Sequence, residues 1–251
     1  MPFLKVELFK LLKSPFVMIG SLLSLSLVAV LYVGLVVKGA DISALQFCTM
    51  ALGNILNLGV FPLSVVIAAS TAFASEFSYG TLRYIRMRPV SWAQLLGSKT
   101  VVCLLYAAGL GTAIFLVSFI AGHETWPHTP LVSREGTVLT SQALRVGLFY
   151  GVTVINQVFL IALSLFFSVI VKNQSSAMLC AYSVFVLILI FVPEGFAAFS
   201  PKTILLLKPF LISEEIQYLR ILLTIVVSVL YSAVLSGGAL FLVFHRKEKF
   251  V

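Results

Sequence analysis

Charged residues divide this chain into long apolar stretches. Six segments contain no Asp, Glu, Lys or Arg: 14–37, 42–75, 100–123, 146–171, 173–193 and 221–245. Their lengths are 24, 34, 24, 26, 21 and 25 residues. A helix needs roughly 20 apolar residues to cross a hydrocarbon core about 30 Å thick, so each segment is long enough. The pattern predicts an all-α integral membrane protein, a single domain over 1–251 with spans at 16–37, 52–75, 100–122, 146–170, 175–192 and 221–244. The 34-residue run is cut so that 41–50 becomes an outer helical extension, and Pro62 should kink the span that follows. Residues 1–15 should form an amphipathic helix at the membrane interface, with Leu4, Leu8, Leu11 and Leu12 on one arc and a break at Pro15. Residues 193–219 are apolar, but Pro193, Pro201 and Pro209 cut them into pieces too short to cross. They are expected as short helices dipping into the outer leaflet. The first apolar run is too long for a signal-peptide core and is expected to stay as a helix.

Composition agrees with the pattern. The chain is 60% hydrophobic and 10% charged, where soluble chains carry about 25% charge, so no soluble catalytic domain fits between the spans. Six crossings place both termini on one side. That face carries eleven basic residues (Lys5, Lys10, Lys13, Arg83, Arg86, Arg88, Lys99, Lys172, Arg246, Lys247 and Lys249), and the other carries six. The richer face is expected in the cytoplasm, because Lys and Arg in short loops resist translocation. Acidic residues follow the opposite bias, three inside and six outside, so the whole net charge of +8 is cytoplasmic. Anionic headgroups or an acidic partner account for that charge without nucleic acid. Cys48, Cys103 and Cys180 lie far apart in apolar runs and give neither a zinc spacing nor a disulfide framework.

The cytoplasmic loop 76–99 reads EFSYGTLRYIRMRPVSWAQLLGSK. Gly80 is suited to ending the second span in a left-handed conformation, and Thr81 to capping a short helix over 82–88 that stops before Pro89. Ser91 with Gln94 forms a capping box for the helix entering the third span. Arg83, Arg86 and Arg88 ride on the short helix. Glu76 falls at a helix C-terminus, where the macrodipole disfavours an anion by about 0.3–1 kcal/mol. A basic partner is therefore expected, either Arg83 or a lysine of the N-terminal helix.

Glu76, Gly80-Thr81-Leu82-Arg83, Pro89-Val90-Ser91 and Lys99, in this order between a second and third span, resemble the permease subunits of ABC-2 type ABC transporters. The six-span layout and small size resemble that family too, while Trp92 departs from the basic or small polar residue usual after the serine. The resemblance implies that residues 76–88 are a coupling helix docked on a separate ATPase. Glu76, Gly80, Thr81, Arg83, Arg86 and Arg88 then couple the two. It implies two ATPase subunits holding ATP and Mg, with no cofactor in this chain, and a second permease chain, identical or similar. It also implies a path lined by the second and fifth spans, hence by Asn54, Asn57, Tyr182 and Phe185. Uncharged amides in a membrane are also ordinary helix–helix glue, and for Asn54, Asn57, Asn156 and Gln157 that role comes first. The expected setting is a bacterial plasma membrane. The expected activity is export of an amphipathic or lipophilic cargo, such as an antimicrobial or cytolytic peptide or a peptide antibiotic, or immunity to one.

Other readings carry less. Gly97-Ser98-Lys99-Thr100 lacks the glycine that must directly precede the lysine of a phosphate loop, and position 93 is alanine. Glu214-Glu215 with Arg220 resembles an intramembrane-protease signature, but the arginine falls one residue late and about 100° off the glutamates' face. A secondary transporter or channel would use an ionisable group at mid-membrane, and none of the six runs holds an Asp, Glu, Lys or Arg.

Overall fold

The computed structural model describes residues 2–39, 42–51, 59–78, 92–126, 142–171, 173–192 and 218–247. The elements in it are helices: α1 (Pro2–Leu12), α2 (Pro15–Val37), α3 (Ala44–Met50), α4 (Phe61–Ser78), α5 (Trp92–Thr125), α6 (Gln142–Val171), α7 (Gln174–Phe191) and α8 (Tyr218–Lys247). Five are long and apolar enough to cross a membrane, over Pro15–Val37, Gln94–Thr125, Leu144–Val171, Gln174–Phe191 and Tyr218–Val243. The apolar part of α4, Phe61–Ala74, is shorter. The predicted outer-leaflet segment 193–219 lies outside the described residues.

Local chemistry sets the helix starts. Ser14 precedes α2 and Pro15 occupies its first turn, where a missing N–H costs nothing. Asn173 caps α7 by accepting from the Ser175 amide at 3.1 Å. The 34-residue run proves to hold two helices. Ser43 and Gln46 form a capping box, with the Gln46 amide donating to Ser43 Oγ at 3.0 Å, and this sets the start of α3. Ala51 and the pair Gly59–Val60 adopt π-helical turns, and Pro62 stands in the first turn of α4; the residues between them, 52–58, lie outside the described residues.

Side-chain contacts fix the helix directions. Ser21 meets Tyr106 at 2.8 Å and Tyr32 meets Thr125 at 2.7 Å, so α2 and α5 run parallel. Ala72 pairs with Lys99, and Phe61 lies beside Gly111, so α4 and α5 are antiparallel. Gly111 against Val154 and Phe115 against Tyr150 make α5 and α6 antiparallel. Thr71 with Gln174 and Gly59 with Tyr182 do the same for α4 and α7. The pairs Asn156–Ser228, Phe159–Tyr231 and Phe166–Gly238 share one offset of 72 positions, so α6 and α8 lie parallel and in register. Directions therefore alternate: α2, α5 and α7 run one way, and α4, α6 and α8 the other.

The core sits around α6. It packs on α3, α4, α5, α7 and α8, and 61% of its apolar window is buried, against 22% for α2 and 17% for α7 and α8. The outward sides of those three are strongly apolar, as a lipid-facing surface requires. One expectation changes at the N-terminus. Leu11 is buried and Leu4 and Leu8 pack on the core, while Val6, Phe9 and Leu12 face outward. The leucine stripe of α1 thus binds protein, chiefly α5, and a second edge of the helix is left to face away from it.

Candidate functional site

Lys99 is the most deeply buried cation among the described residues, at 2% exposure. It lies in the third turn of α5, at the end of the bundle that receives the loop 76–99. Withdrawing an ammonium from water costs several kcal/mol unless its donors are satisfied. Here Lys99 Nζ donates to the Ala72 carbonyl of α4 at 2.6 Å and to Glu7 Oε2 of α1 at 3.3 Å. It also lies 5.9 Å from the centroid of the Phe73 ring. One side chain thereby joins three helices.

A second polar link extends the junction. Thr71, next to Ala72, donates to the Ile67 carbonyl at 2.7 Å, and its oxygen accepts from Gln174 Nε2 at 2.9 Å. Gln174 opens α7 directly after its cap, Asn173. A notch of about 40 Å³ between α1, α4 and α5 is bordered by Glu7, Lys10, Thr71 and Lys99, roomy enough for a few water molecules. The ends of α1, α4, α5 and α7 therefore meet in one polar junction beneath the apolar bundle. Ala72 lies one helical turn before Glu76, so Lys99 ties together the two ends of the loop.

The residues singled out from sequence are placed unevenly. Glu76 lies in the last turns of α4; its side chain, and Gly80, Thr81, Arg83, Arg86 and Arg88, lie outside the described residues, as do Asn54 and Asn57. Tyr182 donates from its hydroxyl to the Gly59 carbonyl at 3.1 Å, so the structure brings α7 against the turn that leads into α4. Phe185 is buried with Val66, Phe159, Leu160, Leu163 and Ala181, inside the chain's own α4–α6–α7 contact. Asn156 accepts from Ser228 Oγ and bonds α6 to α8, while Gln157 Nε2 donates to the Thr153 carbonyl of its own helix.

Sequence reasoning expected a lysine of the N-terminal helix or Arg83 to hold Glu76. The side chain of Glu76 lies outside the described residues; a separate ion pair is seen among them, in which the N-terminal helix supplies the acid, Glu7, and α5 the base, Lys99. Glu7, Thr71 and Gln174 were missed. The available signal was Glu7, the one acid among the lysines of α1.

The chain matches the family described as ABC-2 family transporter protein over residues 3–175, a range that contains every residue of the junction. A stretch of 134 residues is 26% identical to the Uncharacterized protein YhcI of Bacillus subtilis (strain 168). It covers 50% of this chain and 42% of that protein, so the match spans less than half of the relative's length.

Proposed function

The chain belongs to the ABC-2 transporter family, and on that premise we propose that it is the membrane-spanning permease subunit of an ATP-driven exporter. ATP is hydrolysed by separate subunits, two of which dock beneath a pair of permease chains. The observation that carries this reading is the Lys99 cross-tie. A loop whose two ends are fastened to each other through a buried cation moves as one piece, and a rigid piece attached to α4 and α5 converts closure of the ATPases into a change of helix packing. Glu76, Gly80, Thr81, Arg83, Arg86 and Arg88 form the docking side of that piece.

The alternating helix directions support six crossings with both ends on the cytoplasmic side. They also support a return of 193–219 to the side it leaves, because α6 and α8 are parallel with α7 between them. Cysteines placed at positions 90 and 130 are expected to label only from the cytoplasm and only from outside, respectively; the reverse pattern overturns this orientation. Apolar runs without acidic or basic residues suit an amphipathic or lipophilic cargo, and a peptide of the antimicrobial or cytolytic kind is the class proposed, with Asn54, Asn57 and Tyr182 on its path; Phe185, expected there too, is instead buried in the packing of α4, α6 and α7.

The test is a mild-detergent pull-down of the chain from its native membrane. A soluble ATPase is expected to accompany it, and Glu76→Ala or Arg83→Ala should lower hydrolysis by the complex without changing insertion. A chain that emerges alone and stable, or variants with unchanged hydrolysis, refutes the coupling assignment.

A further inference from the structure

We propose that the groove between α5 and α6 is a binding site for one acyl chain of a membrane phospholipid. The proposal needs the membrane-spanning character of the chain and not its coupling to an ATPase. The groove has a volume of about 380 Å³ and opens on the outward side of the bundle, where Thr112, Gly147 and Gly151 are exposed. At its back Gly111 is buried against Val154, so closely that an added Cβ would stand 3.0 Å from that side chain. Phe115 and Tyr150 brace one wall edge to face, with centroids 4.9 Å apart. An apolar cavity of about 150 Å³ already stays dry and takes up benzene; this groove is more than twice that size.

Three features select the occupant. First, Gly111 is explained by Val154, but Gly147 and Gly151 are not explained by any described residue. A Cβ at either meets nothing within 4 Å, yet glycine in a helix costs about 1 kcal/mol against alanine. The space they keep serves something other than the packing of α5 on α6. Second, the lining offers no hydrogen bond. Thr112 and Tyr150 are its two polar side chains among the described residues; Thr112 Oγ1 donates to the Ala108 carbonyl at 2.8 Å, and the Tyr150 hydroxyl to the Cys48 carbonyl of α3 at 3.1 Å. A headgroup or an extended peptide would lose its bonds there, whereas hydrocarbon has none to lose. Third, the groove is short and its ends are bulky. Gly147 to Ile155 spans about 12 Å at 1.5 Å per residue, within the roughly 15 Å that one leaflet contributes to the hydrocarbon core. Leu105 and Leu116 of α5 and Leu144 of α6 stand out around it, each about half exposed. A partner helix, rigid and about 10–12 Å across, meets those leucines before its backbone reaches the glycines. A chain of methylenes threads between them, and it comes from the lipid-facing surface with which the groove is continuous. Lipid tails are as apolar as the groove, so the gain is contact and not hydrophobic transfer: the lining loses its dispersion energy unless atoms lie against it. In the orientation proposed above the chain comes from the outer leaflet, because Gly147 lies in the second turn of α6.

The test uses the full chain in phosphatidylcholine–phosphatidylglycerol vesicles that contain a phosphatidylcholine with a photoreactive diazirine halfway along one acyl chain. Adducts are mapped by mass spectrometry after illumination. The reference is the face of α8 with Leu222, Val226, Leu230 and Val234, which is as exposed to lipid. Adducts per exposed residue are expected to be about 5- to 10-fold denser over 108–115 and 147–155 than on that face, a preference of about 1–1.4 kcal/mol. Gly147→Leu with Gly151→Leu fills the groove and brings its labelling down to the α8 level, with α8 labelling unchanged. Should that variant fail to accumulate, Thr112→Leu, on the opposite rim, decides in the same way. Equal labelling of the groove and of α8 in the wild-type chain overturns the proposal, as does enrichment that survives the filled groove. Gly151→Cys adds a further arm: disulfide-linked pairs of chains, with no adducts in the groove, assign it to a second copy and overturn the lipid site.

Discussion

Replacing Gly122 with valine is expected to lower the thermal midpoint of the purified chain by about 5–10 °C. Gly122 lies near the C-terminal end of α5, and a Cβ there would stand 3.0 Å from Ala44 Cα, 3.2 Å from its carbonyl oxygen and 3.3 Å from its Cβ. Two of those three atoms are backbone, so no side-chain rotation relieves the clash; α3 has to move as a body. It is not free to do so. The Tyr150 hydroxyl donates to the Cys48 carbonyl at 3.1 Å, and the Phe47 ring is wedged between Tyr32 and Trp126 with centroids 5.9 Å from each. Overpacking of a fixed contact costs about 1–3 kcal/mol, and each kcal/mol shifts the midpoint of a chain this size by about 2–4 °C. The emission of Trp126 should change in the same variant, because its aromatic neighbours are displaced. Gly147→Ala and Gly151→Ala are the controls. A Cβ at either position meets nothing within 4 Å, and alanine gains up to about 1 kcal/mol of helix propensity. Equal behaviour of all three variants would mean that α3 does not dock as tightly as the contact implies.

Much of this architecture is legible in the sequence, for a reason specific to membranes. A chain in hydrocarbon must satisfy its backbone internally, so a long charge-free run has one outcome. The runs 14–37, 146–171 and 173–193 reappear as α2, α6 and α7 to within a few residues. The run 42–75 holds no charge to cut it, and the start of α3 within it comes from the capping box at Ser43, which hydropathy does not register. The face of α1 was ambiguous because a leucine stripe at 4, 8 and 11 looks the same whether it meets lipid or α5. Lys99 was harder still. As the last charge before an apolar run it reads as a solvated flank, yet α5 begins at Trp92, and the helix carries the lysine into the bundle. Its acid is 92 positions away in the chain, a distance over which no local pattern operates. The amides at 156 and 157 illustrate the converse limit: their burial follows from their run, whereas the hydroxyl that meets Asn156 follows only from the register of α8.

That register sets up the second large effect, whose size differs between the two partners of one bond. Ser228→Ala is expected to destabilise the chain by about 1–2 kcal/mol, and Asn156→Leu to leave stability within about 0.5 kcal/mol of wild type. Asn156 is fully buried; its Oδ1 accepts from Ser228, and its Nδ2 has no partner among the described residues. Removing the serine hydroxyl leaves both ends of the amide unsatisfied in an apolar interior. Removing the amide leaves only a serine, and that serine has an alternative. Thr224 and Ser232 already bond to carbonyls of their own helix, at 2.8 Å to Arg220 and 2.7 Å to Val229, and Ser236 does so to Ser232. A freed Ser228 can turn to the Thr224 carbonyl in the same way. The leucine, meanwhile, removes the unpaired Nδ2 and fills the same space. Because the cost of Ser228→Ala arises from the amide, it should vanish in the double variant, which is expected to match Asn156→Leu alone. Thermal midpoints of the three variants in one detergent decide this. An Asn156→Leu variant at least as damaging as Ser228→Ala would show the bond to be worth more than the roughly 0.6 kcal/mol typical of interhelical hydrogen bonds in membranes. The same variant separates packing from cargo contact: as helix glue, Asn156→Leu keeps transport, whereas full stability with transport lost would move this residue from the packing of α6 and α8 onto the path itself.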